Sequence, residues 1–587
     1  MMAQSIELSR VSFIVMREMR GPIMALIVVY SLSILGMVFI PGPVVDGKTQ
    51  YLSIFHAFYF MTYTATTTGF GEIPFEFSNA QRFWAIACLY VSVITWFYAV
   101  GSIVRLFQNP FFTRALAEWK FLREVRRIPD SFFIVCGFGD TGSVLARGLS
   151  DYGFPSVIID SNEERIKALK LRDYRVPMPG LCADASIPKH LLEAGIRNPK
   201  CKAIVAITQD EEVNLKISAL ARLLNPKIRI ITMSKVEAFE ETLATLGGEV
   251  HIVDPFKTYA KVLASAMNHP RFYAFNKWLV REPGASLTEY TRPPIGKWIV
   301  CGYGRMGHQV NQVLVTHGIK TTVIDSKEIS DKDKSGNYIV GRTTARTLAE
   351  AGIEDAVGIL AGTDDDGYNL GILLNARYLK PDLFTLVRQN RHENKIAFEA
   401  SKIDMVMQPT LVTARRILFL LIAPLLKSFF KYLLQNEPGR KEEMEAVIKT
   451  LEERIGDKMP HLITVHFTRE RSHAVMQCLD AGKPVLLGDI IKHPDNIDKQ
   501  LDLVVFVVKS GDQIIVLPNE DYKIKEGDQL LFCGTALAGR LFNATLNNEY
   551  KLFYVQNGAI LPRGYFMQWY VKRQNKLGFK SKDNRVG

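Results

Sequence analysis

At 587 residues the chain is too long for one hydrophobic core, so roughly three or four compact units are expected. Its 48% apolar composition points to a short membrane part, and its formal charge of +12 suits an anionic lipid surface; no basic helix with interleaved aromatics is present, which argues against nucleic acid as a partner. The seven cysteines are scattered without a CxxC pair, which argues against a zinc site and a disulfide framework and suits a reducing interior.

Residues 23–40 carry no charge and lie between Pro22 and Pro41; residues 83–104 are also uncharged. At about 1.5 Å per residue each can cross a hydrocarbon layer of about 30 Å. The first run is too long for a cleaved leader, and no clear small-residue cleavage site follows it. Arg10, Arg17 and Arg20 precede the first span, and Arg105, Arg114, Lys120, Arg123, Arg126 and Arg127 follow the second. The intervening loop holds only Asp46, Lys48, Glu72, Glu76 and Arg82. The positive-inside rule therefore places both termini in the cytoplasm, with the plasma (inner) membrane as the expected location.

Within the loop, residues 51–63 read as a helix too short to span. Such a helix re-enters the membrane and turns back at Gly69 and Gly71. Irregular backbone at that depth is tolerated only where protein or a water-filled path surrounds it. Consecutive carbonyls aimed at one axis replace the hydration shell of an ion. Gly69 and Gly71 permit the required backbone angles, the Thr67 hydroxyl adds a further oxygen, and Phe70 points away to set the width. Thr67-Thr68-Gly69-Phe70-Gly71 resembles the potassium-channel signature, TVGYG and its TTGFG variants, with Glu72 where Asp is usual. The resemblance implies K+ at Thr67, Thr68, Gly69 and Phe70. One such loop is a quarter of a ring, so a homotetramer is expected. In the second span Ser92 and Thr95 stand where a bending glycine is common, with Gly101 later. Phe97 and Val100 read equally as a constriction or as helix packing. No span carries repeated arginines, so a voltage sensor is not expected.

The rest of the chain contains a repeat. SFFIVCGFGDTGS, at residues 131–143, matches KWIVCGYGRMGH, at 297–308; both are a strand, a Gly-x-Gly-x-x-Gly turn and a helix. A second strand ends in Asp160 in one copy and Asp325 in the other, at the same distance from the first glycine. AIVAITQDEEVNLKISALARLLNP parallels GILAGTDDDGYNLGILLNARYLKP. These are two Rossmann-like units. Gly137 and Gly302 make the tight turn, Gly139 and Gly304 let backbone approach a phosphate, and Gly142 and Gly307 allow close packing. Phe138, Asp140 and Thr141 complete the first loop, and Tyr303, Arg305 and Met306 the second. Phosphates are expected at the helix N-termini, with the acids on ribose hydroxyls. Asp184 follows the third strand in the first copy, Arg342 in the second. Arg305 against Asp140 makes the second site friendlier to high phosphate charge, although surface ion pairs explain any one of these residues as well.

A pore followed by tandem copies resembles the potassium channels gated by RCK domains (regulators of potassium conductance). That resemblance implies a ring of eight such domains in a tetramer, with NAD(H), ADP or ATP and divalent cations as gating ligands. It also implies that residues 256–280 and 412–434 are helices through which the domains dimerise. The expected fold is a membrane α-helical two-span pore domain (1–107), then a linker (108–130) and cytoplasmic α/β. The latter comprises two tandem Rossmann-like RCK domains (131–285 and 296–436), an α+β C-terminal lobe (437–560) and a basic tail (561–587). Gly527-Asp528 reads as a hairpin turn. Asp364, Asp365 and Asp366 read as an acidic turn, with a Ca2+ site as the alternative. A membrane-anchored NAD-dependent oxidoreductase would need an acid–base pair, and no Ser-Tyr-Lys or His-Asp set is in register with either copy. An NAD-linked regulatory or transport component without a pore of its own would lack residues 66–71.

Overall fold

The computed structural model describes residues 2–560 apart from 46, 235–236, 246, 280–284, 288–290, 329–336, 435–438, 457 and 459. The basic tail therefore lies outside the described residues. The chain folds as two compact units, 1–134 with 155–201, and 135–154 with 202–587.

In the first unit a long helix, Met2–Phe39, contains Pro22. In the sequence Pro22 reads as the boundary of the apolar run. An interior proline removes its own N–H bond and crowds the carbonyl four residues back, yet the helical backbone runs through Pro22 from the charged residues Arg17, Glu18 and Arg20 into the apolar run that follows. Two helices are long and apolar enough to cross a membrane, Ser12–Phe39 and Asn79–Gln108. The second starts at a capping box: Ser78 accepts from the Gln81 N–H, and the Gln81 side chain accepts from the Ser78 N–H. Three contacts tie the two helices together. Gln81 Nε2 donates to Ile40 O (3.2 Å), Ser78 Oγ to Pro41 O (2.8 Å) and Trp84 Nε1 to Ser33 O (3.2 Å). Gly36 lies under Trp84; a Cβ there would sit 2.2 Å from the indole. The helix ends at Gln108, and Asn109 caps the next one, Pro110–Arg126, with Pro110 in its first turn. Val125 and Phe132 close over Gly195, so this linker helix rests on part of the first repeat.

In the same unit, strands Ser156–Asp160 and Gly180–Cys182 pair in parallel, with Asp160 opposite Cys182. The second unit holds the parallel strands Cys201–Ala206, Arg229–Met233 and Val250–Val253. It also holds the whole second repeat. That sheet is parallel, with Asn337–Val340, Thr321–Asp325, Lys297–Cys301, Ala356–Ala361, Phe384–Arg388 and Met405–Met407 side by side. Lys297–Cys301 is central and almost wholly buried, as expected for a strand covered on both faces. The strand order reverses there, which makes the carboxyl edge beside it the place for a ligand.

The helices Pro255–Asn268 and Pro409–Ile422 follow the two repeats. Each packs on the opposite one. Phe256, Tyr259 and Leu263 enter the core of the second repeat beside Met306 and Val310. Leu418 meets Gly148 on the first repeat's helix Asp140–Asp151, where a Cβ would lie 2.9 Å away. The repeats are thus paired within the chain by exchanged helices. Pro409–Ile422 and Leu426–Leu433, bent by 107°, are together apolar enough for a broken span. Both helices are instead buried against the repeats and the C-terminal lobe: Phe429 stacks on Phe506 at 4.4 Å, and Arg229 Nη1 donates to Leu420 O at 3.2 Å.

The C-terminal lobe is an antiparallel sheet in the order His461–His466, Gln529–Gly534, Leu503–Ser510, Gln513–Val516. Gly527-Asp528 is not a two-residue hairpin, because Gln529–Gly534 pairs with 503–510 and not with the preceding strand. Asp528 is buried, and its carboxylate accepts from the Lys525 N–H (2.9 Å) and Tyr522 OH (2.8 Å) to shape a turn.

Candidate functional site: a filter loop and two glycine-rich turns

The short helix Ile54–Ala65 is capped by Ser53, whose Oγ accepts from the His56 N–H. At twelve residues it is about 18 Å long and cannot cross the hydrocarbon layer. The chain that leaves it alternates in hand. Thr67 (φ 60°), Gly69 (φ 65°) and Gly71 (φ 70°) are left-handed, with Thr68 and Phe70 between them outside that region. Alternation of this kind turns successive peptide groups to a common side. It is the geometry a ring of carbonyl ligands requires. Thr67 adopts it despite its β-branch, a strained conformation for such a residue. Two anchors hold the loop against the short helix. The N–H groups of Thr68 and Gly69 donate to Tyr63 O at 2.9 and 3.2 Å. Tyr63 OH donates to Glu72 O at 3.1 Å, and Tyr59 OH to Glu72 Oε2 at 3.1 Å. Glu72 is long enough to reach Tyr59, which gives the departure from Asp a structural use. Phe70 is exposed on the chain and sets its ring edge-on to Tyr63 at 6.3 Å. In the sequence the two tyrosines read only as part of an apolar helix, and their i, i+4 spacing is the signal that pairs them.

In the glycine-rich turns, Gly137 (φ 107°) and Gly302 (φ 87°) have backbone that side chains resist. A Cβ on Gly142 would lie 2.1 Å from Gly137 O, and one on Gly307 1.9 Å from Gly302 O. The tight turn at the first glycine and the close packing at the third are thus present in both copies. Gly139 and Gly304 are the N-caps of Asp140–Asp151 and Arg305–Thr316, and neither helix start is capped by a side chain. A Cβ at Gly304 would meet nothing within 4 Å. Uncapped helix N-termini behind an open glycine suit a phosphate. The side chains of Phe138 and Met306 are buried, so only their backbone can serve a ligand; Thr141 is half-buried, and Asp140 and Arg305 are exposed. Cys301, directly before Gly302, is no nucleophile: burial pushes its thiol up to about 12.

In the second repeat the acid reaches the turn. Asp325 Oδ2 accepts from the Tyr303 N–H at 2.6 Å, and Oδ1 from the Lys327 N–H at 2.8 Å. Arg342, two residues beyond the neighbouring strand, is exposed. In the first repeat the loop 137–142 belongs to one unit and the two acids to the other. Asp160 is buried, accepts from the Asn162 N–H at 2.8 Å and faces Arg165 Nη1 at 3.5 Å. Asp184 accepts from the Ser186 N–H at 2.8 Å. Both stand at the carboxyl ends of adjacent parallel strands.

The acidic triplet is a capping turn. Asp366 accepts from the Asn390 N–H and Nδ2, the Arg391 N–H and Asn394 Nδ2, at 2.6 to 3.0 Å. Burial pushes its carboxyl up, but these bonds outweigh it and hold the pKa below the usual range. Asp365 caps Asp366–Leu379. Both Asp366 oxygens are thus engaged by N–H donors, and no cluster of metal-ligating side chains occurs among the described residues. The two repeats also share an asparagine bridge. Asn214 joins Thr208 to Met233 O, and Asn369 joins Thr363 to Arg388 O, by the same bonds. Both pairs are visible in the aligned repeat segments.

Residues 23–109 match the family described as Ion channel, and residues 133–254 and 298–409 each match the TrkA-N domain. A Trk system potassium uptake protein TrkA homolog of Pyrococcus abyssi is 30% identical over 165 residues, 27% of this chain and 68% of that protein. The chain belongs to the TrkA-N family. It joins two such domains to an ion-channel domain, which places its two apolar helices in a membrane. It is homologous to potassium channel protein 1 of Methanocaldococcus jannaschii, 26% identical over 196 residues, 33% of this chain and 57% of that protein. The chain thus spans about half the length of such curated relatives. Among solved structures, the GsuK channel bound to NAD is 16% identical with a TM-score of 0.48, covering 92% of this chain and 99% of that one.

Proposed function

We infer that the chain is one subunit of a homotetrameric, potassium-selective channel of the plasma (inner) membrane, with both termini cytoplasmic. Its TrkA-N repeats bind nucleotides, NAD(H) or ADP/ATP, and the binding sets whether the pore is open; the protein is a channel with regulatory domains and not an enzyme. The observation that carries this reading is the alternating backbone of Thr67–Gly71, anchored to a non-spanning helix inside an ion-channel domain. Thr67, Thr68, Gly69 and Phe70 supply the carbonyl oxygens that replace water around K+, and the Thr67 hydroxyl adds another.

The nucleotide reading rests on the uncapped helix starts at Gly139 and Gly304 and on Asp325 bonded to its own turn. At the second repeat a bound nucleotide would set its phosphates at the helix start behind Gly304 and its ribose at Asp325. The linker helix Pro110–Arg126 joins the pore to the first repeat and would carry the pull on Asn79–Gln108. The test is flux from liposomes holding purified full chain, with and without NAD+, NADH, ADP and ATP. K+ or Rb+ should pass far faster than Na+, and at least one nucleotide should change the rate. Equal passage of Na+, or no flux under any condition, overturns the reading.

A further inference from the structure

At the second glycine-rich turn, two guanidinium groups converge on one ring. Arg305 lies 5.3 Å and Arg388 5.0 Å from the centre of Phe256. Arg305 opens the helix behind Gly304, and Arg388 ends the strand Phe384–Arg388. Phe256 comes from neither element. It stands at the start of Pro255–Asn268, the helix donated by the first repeat, where Asp254 caps its N–H at 2.7 Å.

Like charges gathered around one aromatic ring repel each other, and, after burial, Arg305 lowers the Arg388 pKa accordingly. Neither guanidinium ion-pairs with a carboxylate among the described residues, and Arg388 Nε is buried without a hydrogen-bond partner. Burial holds the Arg388 guanidinium below the usual arginine range; Asp364 and Asp366 draw it back up, and Arg305 pushes it further down. Asp366 is saturated by N–H donors, which leaves Asp364 as the carboxylate opposing an anion at this place.

The first repeat lacks all three groups. Asp140 stands where Arg305 stands. Met233 stands for Arg388, each ending its strand and each giving its carbonyl to the same asparagine. Thr410 stands for Phe256, one residue after the proline that opens each exchanged helix. The three differences fall on three separate elements and all change together around one point.

We propose that Arg305 and Arg388 form a clamp for a ligand with adjacent phosphate groups, a nucleoside di- or triphosphate, at the second repeat, with Arg388 as its charge-selecting residue. Guanidinium groups bind phosphate oxygens through paired donors, and two of them suit two phosphates better than one. A ligand that draws the arginines toward the glycine turn loosens them from Phe256. The donated helix therefore registers occupancy of the second site inside the first repeat. This rests on the second repeat being a nucleotide site.

The test is calorimetric titration of purified full chain carrying Gly139→Val, which silences the first turn, with ADP, AMP and pyrophosphate. ADP should bind roughly tenfold or more tightly than AMP. Arg388→Met, the residue the first repeat uses, should remove most of that difference while leaving AMP nearly unchanged. Asp364→Asn should tighten ADP. Pyrophosphate binding lost in Arg388→Met without any ADP preference over it would mark a site for inorganic phosphates and overturn the nucleotide identity. If ADP binds and Gly304→Val abolishes it, yet Arg388→Met retains the full ADP preference, the clamp is refuted. If no ADP binding sensitive to Gly304→Val exists, the nucleotide reading of this repeat fails instead, and the clamp fails with it.

Discussion

Replacing Gly69 by alanine puts a Cβ on a residue at φ 65° with no heavy atom of its own chain within 4 Å of it. The whole cost is then conformational, roughly 1–2 kcal/mol for an L-residue in the left-handed region. In a ring of four chains every copy carries that strain at the same level, so the conducting arrangement loses roughly 4–8 kcal/mol, or about three to six decades in population. A filter that relaxes by turning one carbonyl away loses its coordination at that level. Gly153→Ala supplies the matching control: its φ is 79°, its Cβ is equally free, and it lies outside the pore. Both variants should lower the thermal unfolding midpoint by a similar small amount, whereas only Gly69→Ala should abolish K+ flux from liposomes. Selective K+ flux through Gly69→Ala at the parent rate would refute the assignment of these carbonyls to the ion.

Gly307→Ala should destabilise the second repeat by several kcal/mol, because its Cβ would lie 1.9 Å from Gly302 O; unfolding in urea would show it, and an unchanged midpoint would contradict the packing. Asp366 has a folded pKa below its ordinary 3.8, so it contributes stability that is present above 3.8 and lost as pH falls through the folded value. Asp366→Asn should therefore lower stability at pH 7 and flatten the acid limb of the pH–stability curve; an unaltered acid limb would count against it. Asp160→Ala should weaken the nucleotide response of flux without changing K+ over Na+ selectivity, and an unchanged response would make Asp160 purely structural.

The structure revises the sequence reading most where a side chain's partner is far along the chain. Asp364, Asp365 and Asp366 look alike in sequence, and only the folded loop 390–394 shows that Asp366 is bound by three residues downstream. Arg388 and Phe256 carried no motif at all. Pro22 reads as a boundary in the sequence, yet one helix, Met2–Phe39, runs through it, with Arg17, Glu18 and Arg20 on one side and the apolar run on the other. The backbone of Thr67–Gly71 and the glycine turns are readable for the opposite reason: their conformation is set by residues within a few positions of one another.

The sequence by itself determined two spans, a loop whose glycines dictate backbone handedness, and two phosphate-turn folds with an acid at matching distance. These are local demands, met by hydrophobic length, by φ, and by the room a missing Cβ leaves. Tertiary structure alone decided that the repeats exchange their closing helices, that Tyr59 and Tyr63 brace the filter through Glu72, and that one phenylalanine gathers two arginines. Those outcomes depend on packing between segments far apart in the chain, and periodicity and spacing carry no record of which distant surface a buried face will meet.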